Sequence, residues 1–184
     1  MQYRLTAPVT REELASLRAG DTVLLPGTVY TARDAAHKRM MEQLDAGQEL
    51  PFPVEGSALY YVGPTPERPG QVIGSAGPTT SGRMDAYSPR LLDLGQAVMI
   101  GKGARNQAVK EAVVRNGAVY LAALGGAGAL MSACVKELEV ICWEDLGCEA
   151  VRRLVVADMP LTVILDSQGG DLYESGPAAY LSSL

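Results

Sequence analysis

The stretch VMIGKGARNQAVKEAVVRNGAVYLAA, residues 98–123, decides the fold class. Val98–Ile100 is an apolar run of strand length, and Gly101-Lys102-Gly103 is a turn. Asn106 stands where an N-cap belongs, and the pattern from there to Asn116 predicts a helix. Ala118–Ala123 is a second apolar run. The rhythm continues downstream with a helix over Gly128–Glu137 and strands over Val140–Trp143 and Thr162–Asp166. Upstream, Gln2–Thr6 reads as a strand, and Thr10-Arg11-Glu12-Glu13 is a capping box opening a short helix that stops at Gly20. Thr22–Leu25 and Thr28–Tyr30 read as β segments either side of Pro26-Gly27. Ala32–Ala46 is the longest helical pattern, with Ala36, Met40 and Leu44 on one stripe. Ala58–Val62 and Val72–Ser75 read as strands around a Gly/Pro-rich turn at Gly63–Gly70. The sum is an α/β chain with a mixed sheet and a partly β-rich first half.

With 184 residues, 47% apolar and 20% charged, the chain is expected to form one soluble domain over residues 1–184. The Pro/Gly loops at 51–56 and 63–70 flank pieces too small to fold alone. Sixteen Lys and Arg against 21 Asp and Glu give a net charge of −5, which argues against broad nucleic-acid binding. Residues 1–10 hold no basic start followed by an apolar core, so no secretory signal is read there. The apolar stretch nearest to a membrane span, 118–135, is broken by Gly125, Gly126 and Gly128. A cytoplasmic chain is the expectation. One His (His37) and three Cys (Cys134, Cys142, Cys148) cannot make a four-thiolate zinc or iron–sulfur site. The thiols lack Cys-x-x-Cys spacing and are expected to be reduced and buried.

Four segments carry chemistry at the ends of these elements. In Thr31–Lys38, Thr31 is a candidate helix cap, with Asp34 completing a box. Arg33 then falls in a first turn, where the macrodipole disfavours a cation, and this suggests an anion shared by guanidinium and helix N–H groups. The alternative is that Arg33 covers a surface and His37 is a satisfied, half-buried side chain. Arg33 and His37 share a face, and Asp34 with Lys38 makes an i,i+4 pair. In Gly74–Asp85, three hydroxyls (Thr79, Thr80, Ser81) lie between glycines, and Arg83 again falls where a helix would begin. Ordinary turn and capping chemistry, with Thr80 or Ser81 as N-cap, is the competing reading. Gly101-Lys102-Gly103 lacks the Ser/Thr and the Gly spacing of a P-loop, so it offers only a lysine at a strand end, where α/β sheets bind ligands, or an exposed loop lysine. Leu124–Ala129 lacks the third glycine of a dinucleotide fingerprint. Its glycines instead suggest close helix–sheet packing. Asp166 is read as the start of a turn.

Taken in order, YTARDAAHKRM, GSAGPTTSGRMDAY, MIGKG and AVYLAALGGAGAL closely resemble the β subunit, or C-terminal domain, of class I iron–sulfur-dependent fumarate hydratase. The β subunit of L-tartrate dehydratase is in the same family. The resemblance runs from Asp21 to Tyr173 and implies a single swivelling β/β/α domain. It implies catalysis at an interface with an α subunit carrying a [4Fe–4S] cluster on three cysteines, this chain binding no metal. An αβ heterodimer or its dimer is implied, with a dicarboxylate substrate and no nucleic acid or membrane partner. By motif, Thr79 resembles the catalytic base, Arg33 a substrate-carboxylate ligand, and Arg83 and Lys102 further substrate contacts. His37 and Asp34 take supporting roles. RDAAHKR and GRMD look more like fumarase than tartrate dehydratase. Gly128, where the family pattern has Ala, is the one small departure.

The residue types suit that chemistry. Fumarate and malate are dianions, and three cations can hold both carboxylates of either in an acidic protein. Loss of a proton beside a carboxylate builds negative charge that fixed cations stabilise. A Thr hydroxyl needs a neighbouring cation or second base to act as a base. Three rival readings remain at this stage: a tartrate or other hydroxy-dicarboxylate dehydratase subunit, a non-catalytic anion-binding or assembly module, and a nucleotide-binding domain resting on the glycines at 125–128.

Overall fold

Two long antiparallel strands organise the molecule, which the computed structural model describes over residues 1–124 and 126–183. They are β2 (Thr22–Thr31) and β7 (Val151–Leu165). Each shares its free edge between two shorter strands. β1 (Gln2–Arg4) runs parallel to Thr22–Leu24, and β3 (Ala58–Tyr60) parallel to Val29–Thr31. β5 (Val119–Ala122) lies antiparallel to the end of β7, and β6 (Val135–Cys142) antiparallel to its beginning. β4 (Val98–Gly101) fits between β3 and β5, parallel to both. The ring β2-β3-β4-β5-β7 therefore closes on itself as a five-stranded barrel of mixed direction.

Alternation along the strands fills that barrel. Val23, Leu25 and Val29 of β2, Tyr60 of β3, Ile100 of β4, Leu121 of β5 and Leu154, Val156, Leu161 and Val163 of β7 share one core. The intervening residues Leu59, Tyr61, Met99 and Tyr120 face a second core. There they meet α2 (Asp34–Asp45), α3 (Ser88–Asp93) and α4 (Gln107–Asn116) through Ala36, Met40, Leu91, Leu92, Val109 and Val113. Both faces of β3 and β4 are covered, which is why they read as continuous apolar runs. Each fully buried Leu or Met here contributes about 1.5–3 kcal/mol. The capping signals hold. Thr10 and Glu13 exchange both bonds of a capping box before α1 (Arg11–Leu14). The Asn106 side chain accepts the Val109 N–H at 3.0 Å, and Gly117, in the left-handed region at φ 62°, ends α4. The chain is completed by α5 (Gly128–Cys134) and α6 (Leu172–Ser182).

Several expectations are corrected. Pro26-Gly27 does not separate two strands. It is a bulge inside β2, where the register with β7 shifts, and a Cβ on Gly27 (φ 109°) would collide with the Ala7 carbonyl. Thr31 does not cap α2: it is buried in β2, its hydroxyl donating to the Ala150 carbonyl and accepting the Arg152 N–H. Arg33 is the N-cap residue, so α2 starts at Asp34. Residues 72–75 form a loop held to Thr65 rather than a strand. The helix after Gly128 ends at Cys134, because β-branched Val135 joins the β7 ladder, and β6 starts there instead of at Val140. β7 reaches back to Val151, eleven residues before the expected start at Thr162. Cys134 and Cys142 are only partly buried and Cys148 is exposed, against the expectation of buried thiols. Burial raises the Cys142 thiol to about 11. Gly125 lies outside the described residues. Gly128 packs its backbone against Ser75 and Gly77, loop against helix, with no space for a Cβ. Asp166 does start a turn, its carboxylate accepting the Gln168 and Gly170 N–H groups. Among the described residues no helix is long and apolar enough to cross a membrane.

Candidate active site

Strands β2, β3, β4 and β5 are parallel, so their C-terminal ends meet on one rim, the usual place for ligand-binding loops in such sheets. Arg33 follows β2 by two residues and Lys102 follows β4 directly. Residues 77–83 cross the rim between them. Pro78 bridges to Val62, the Thr79 N–H donates to the Tyr61 carbonyl at 2.8 Å, Thr80 bridges to Lys102, and the Ser81 N–H donates to the Lys102 carbonyl at 2.8 Å. Gly101 leaves the space that Ser81 Oγ fills. Main-chain bonds thus bring Thr79, Arg83 and Lys102 together, although they come from distant parts of the sequence. Thr80 occupies the cap position of the short 3-10 helix Ser81–Met84 but makes no side-chain cap bond, and Arg83 lies in that helix's last turn rather than its first.

Arg33 is the most buried cation in this group. Its side chain is only 19% exposed, yet its guanidinium donates no hydrogen bond among the described residues. Glu149 Oε1 stands 3.4 Å and Asp34 Oδ2 3.7 Å from Nη2, and Nε is buried with no partner. Gly63 makes room for it: a Cβ there would sit 3.0 Å from Nη1. Glu149 also accepts the Ala35 N–H at 2.9 Å, placing a carboxylate at the start of α2. Asp34 Oδ1 accepts from Arg83 Nε at 2.7 Å, so Asp34 stands between the two arginines. It does not pair with Lys38, which lies 3.9 Å from Glu42 instead. Arg83 is 52% exposed and Lys102 is exposed, with no ion pair for Lys102 among the described residues.

His37 is fully buried, not half-buried, one turn below Arg33. Its Nδ1 lies 2.8 Å from the Arg33 carbonyl. A carbonyl only accepts, so Nδ1 carries the proton and Nε2, which has no partner, is the acceptor. Burial lowers its pKa to about 4, with a smaller push from Arg105, and the ring is neutral at pH 7. It packs edge-on to Tyr61 and stacks near Tyr87.

Beneath the rim lies a second charged group that the sequence reading did not pick out. Arg105, its side chain fully buried, donates Nε to Asp85 Oδ1 at 2.5 Å, Nη2 to Ser88 Oγ at 2.8 Å, and Nη1 to Met99 Sδ at 3.1 Å. Its guanidinium lies 5.0 and 5.4 Å from the ring centroids of Tyr120 and Tyr61. Asp85 Oδ2 accepts the Asn106 N–H at 2.6 Å. The signal available was an Arg three residues past Lys102 and an Asp two past Arg83, but nothing local pairs them. Glu149 was missed for the same reason, because the β6–β7 connection brings it to α2 from over a hundred residues away.

Arg33 and Arg83 share Asp34, Lys102 follows the strand whose end the same loop crosses, and the Nε of Arg33 is a buried donor without a partner, an arrangement suited to an anion. The three thiols lie on separate elements. Cys134 ends α5, Cys142 ends β6 and Cys148 lies in the 144–149 turn, and no group of three His, Cys, Asp or Glu among the described residues is placed to hold a metal.

The family model described as the fumarase C-terminus matches residues 1–176. The chain is 36% identical over 164 residues to the anaerobic class I fumarate hydratase of Escherichia coli, covering 88% of this chain and 30% of that one. It is 38% identical over 173 residues to the mitochondrial fumarate hydratase 1 of Leishmania major, covering 91% and 31%. The putative L(+)-tartrate dehydratase subunit beta of Methanocaldococcus jannaschii is 37% identical over 180 residues, covering 95% of this chain and 92% of that one. The chain therefore spans about a third of the length of the fumarate hydratases and nearly all of the tartrate dehydratase subunit. This chain belongs to the fumarase C-terminus family.

Proposed function

We propose that this chain is the β subunit of a hydro-lyase that reversibly hydrates fumarate to L-malate, with its active site completed by an α subunit. In this reading the barrel and its helical layer form the β/β/α domain that swivels on the partner, and the [4Fe–4S] cluster belongs to the partner. The observation that carries the reading is Arg33: a largely buried guanidinium whose Nε has no partner, joined to Arg83 through Asp34. Leaving such donors unmatched costs about 1–3 kcal/mol per group, a cost that a bound carboxylate removes. The name of the relative that this chain matches nearly end to end, a subunit beta, supports the partner.

Each residue then has a role. Arg33 takes one substrate carboxylate, held in place from behind by Asp34 and Glu149. Arg83 and Lys102 hold the other carboxylate, where negative charge grows as the neighbouring carbon loses its proton. Thr79 is the base. Its main chain is pinned to Tyr61, which fixes where its hydroxyl stands. The adjacent cations lower the cost of the alkoxide character that a Thr base must acquire. His37 keeps the Arg33 carbonyl in place through Nδ1–H.

A second reading changes only the substrate, to tartrate or another hydroxy-dicarboxylate, and the 37% identity to the tartrate dehydratase subunit favours keeping it. The test is to assay the chain alone and then reconstituted with its α subunit, offering fumarate, L-malate and tartrate in turn. Turnover of fumarate and L-malate by the complex only is the expected result. Full activity from the chain alone would overturn the shared site, and turnover of tartrate alone would select the second reading.

A further inference from the structure

The buried pair Arg105–Asp85 touches the elements that carry the cations and the hydroxyl, but none of the rim residues directly. Asp85 closes the 3-10 helix that bears Arg83, and Arg105 ends the turn that begins with Lys102. The pair is bonded at 2.5 Å, and Asp85 also takes the N–H of the residue after Arg105, Asn106, which caps α4. Tyr120 ties the two segments a second time. Its hydroxyl lies 2.9 Å from both Ser81 Oγ and the Gly103 carbonyl, and since it holds one proton it donates to the carbonyl and accepts from Ser81. The Ser81 N–H to Lys102 carbonyl bond is the third tie. Every nitrogen of Arg105 has a partner, and tyrosine rings lie within 5.4 Å of its guanidinium.

For stability alone this is a poor use of a core position. A buried ion pair is often matched or bettered by apolar side chains of the same size, because desolvation cancels its attraction. What a planar, five-donor guanidinium adds is fixed geometry between the pieces that it bridges.

We infer that Arg105 and Asp85 are positioning residues, a buried clamp that sets the spacing between the Thr79–Arg83 segment and Lys102. This rests on the proposed function of those residues. The geometry predicts that the clamp acts on transition-state fit rather than on folding alone, since loosening it lets the two loops part while the barrel keeps its own core.

The experiment uses the reconstituted complex carrying Arg105→Lys, which keeps the charge and loses the fork, and separately Tyr120→Phe, which keeps the ring and removes only the hydroxyl tie. Three quantities are read: kcat and KM for fumarate, Tm, and hydrogen exchange of the Ser81 amide. The expected result for Arg105→Lys is a loss of about 100-fold in kcat/KM, carried mostly by kcat, with faster Ser81 exchange. Tyr120→Phe should move both in the same direction by less, and it covers the case in which Arg105→Lys does not fold. Faster Ser81 exchange in variants of a complex that hydrates no dicarboxylate would keep the clamp and overturn the functional reading. A lowered Tm with wild-type kcat/KM and unchanged Ser81 exchange would make the pair purely structural and overturn the inference.

Discussion

Two arginines past the ends of parallel strands meet opposite fates. Arg105 lies below the rim with a carboxylate, a hydroxyl, a thioether and two aromatic rings around it, and its side chain is wholly out of water. Arg33 lies at the rim, four-fifths out of water, with two carboxylates nearby and no hydrogen bond from its guanidinium. A folded chain ordinarily pairs nearly all its buried donors. Where one is left unpaired beside other cations, the missing partner is most simply an external anion. In the proposed function, the contrast separates charge used to hold the molecule from charge kept available for a ligand.

The comparison breaks first at the rim. Thr79→Ala in the reconstituted complex should lower kcat by about 10²–10⁴-fold, the range for a lost acid–base group. Arg33→Met should lower kcat/KM by about 10²–10³-fold, as for a removed charge-stabilising donor. Steady-state kinetics checks both; Tm should hold for Thr79→Ala and fall less for Arg33→Met than for loss of Arg105, since Arg33 meets Glu149 and Asp34 only at 3.4 and 3.7 Å. Below the rim the order reverses. Arg105→Leu leaves Asp85 buried and unpaired, and urea denaturation should show a loss of about 3–5 kcal/mol. Equal stability losses at Arg33 and Arg105 would erase the distinction.

A smaller effect comes from His37, which sits between the two regions. Above pH 6.5 its ring is neutral in folded and unfolded chains alike, and the full stability is present. As pH falls from 6.5 towards about 4, the unfolded chain binds a proton that the buried ring refuses, so stability drops with falling pH. The loss attributable to this ring reaches about 3 kcal/mol below the folded pKa. Denaturation at a series of pH values should show that slope in the native chain and lack it in His37→Phe. The smallest expected effect lies far from both arginines: Thr10→Ala removes the capping box of α1 and should cost about 1 kcal/mol.

What could be read from the sequence divides along similar lines. Local signals were legible: the Asn106 cap, the capping box at Thr10, and the apolar runs of β4 and β5. The rim residues Arg33, Thr79, Arg83 and Lys102 came from long motifs; Arg33 and Lys102 follow the ends of β2 and β4, while Thr79 and Arg83 lie in the segment that crosses between them. Whatever depended on distant partners was not legible. Residues 151–156 read Val-Arg-Arg-Leu-Val-Val, a pattern without clean alternation, and their strand state comes from pairing with β2 on one edge and β6 on the other. Thr31 looked like a cap because Ser/Thr before an Asp usually is one, yet its hydroxyl was needed between β2 and β7. Arg105, Asp85 and Glu149 acquire their meaning only from partners 20 or more than a hundred residues away.

The central claim is that Arg33, whose buried Nε has no partner, takes a substrate carboxylate at a site shared with a partner subunit. The most direct measurement is fumarate hydration by the reconstituted complex, wild type beside Arg33→Met, with folding of both verified by Tm. The account predicts turnover by the wild-type complex and a loss of two to three orders of magnitude in kcat/KM for the variant, which remains folded at the assay temperature. Equal kcat/KM for the two complexes would contradict it.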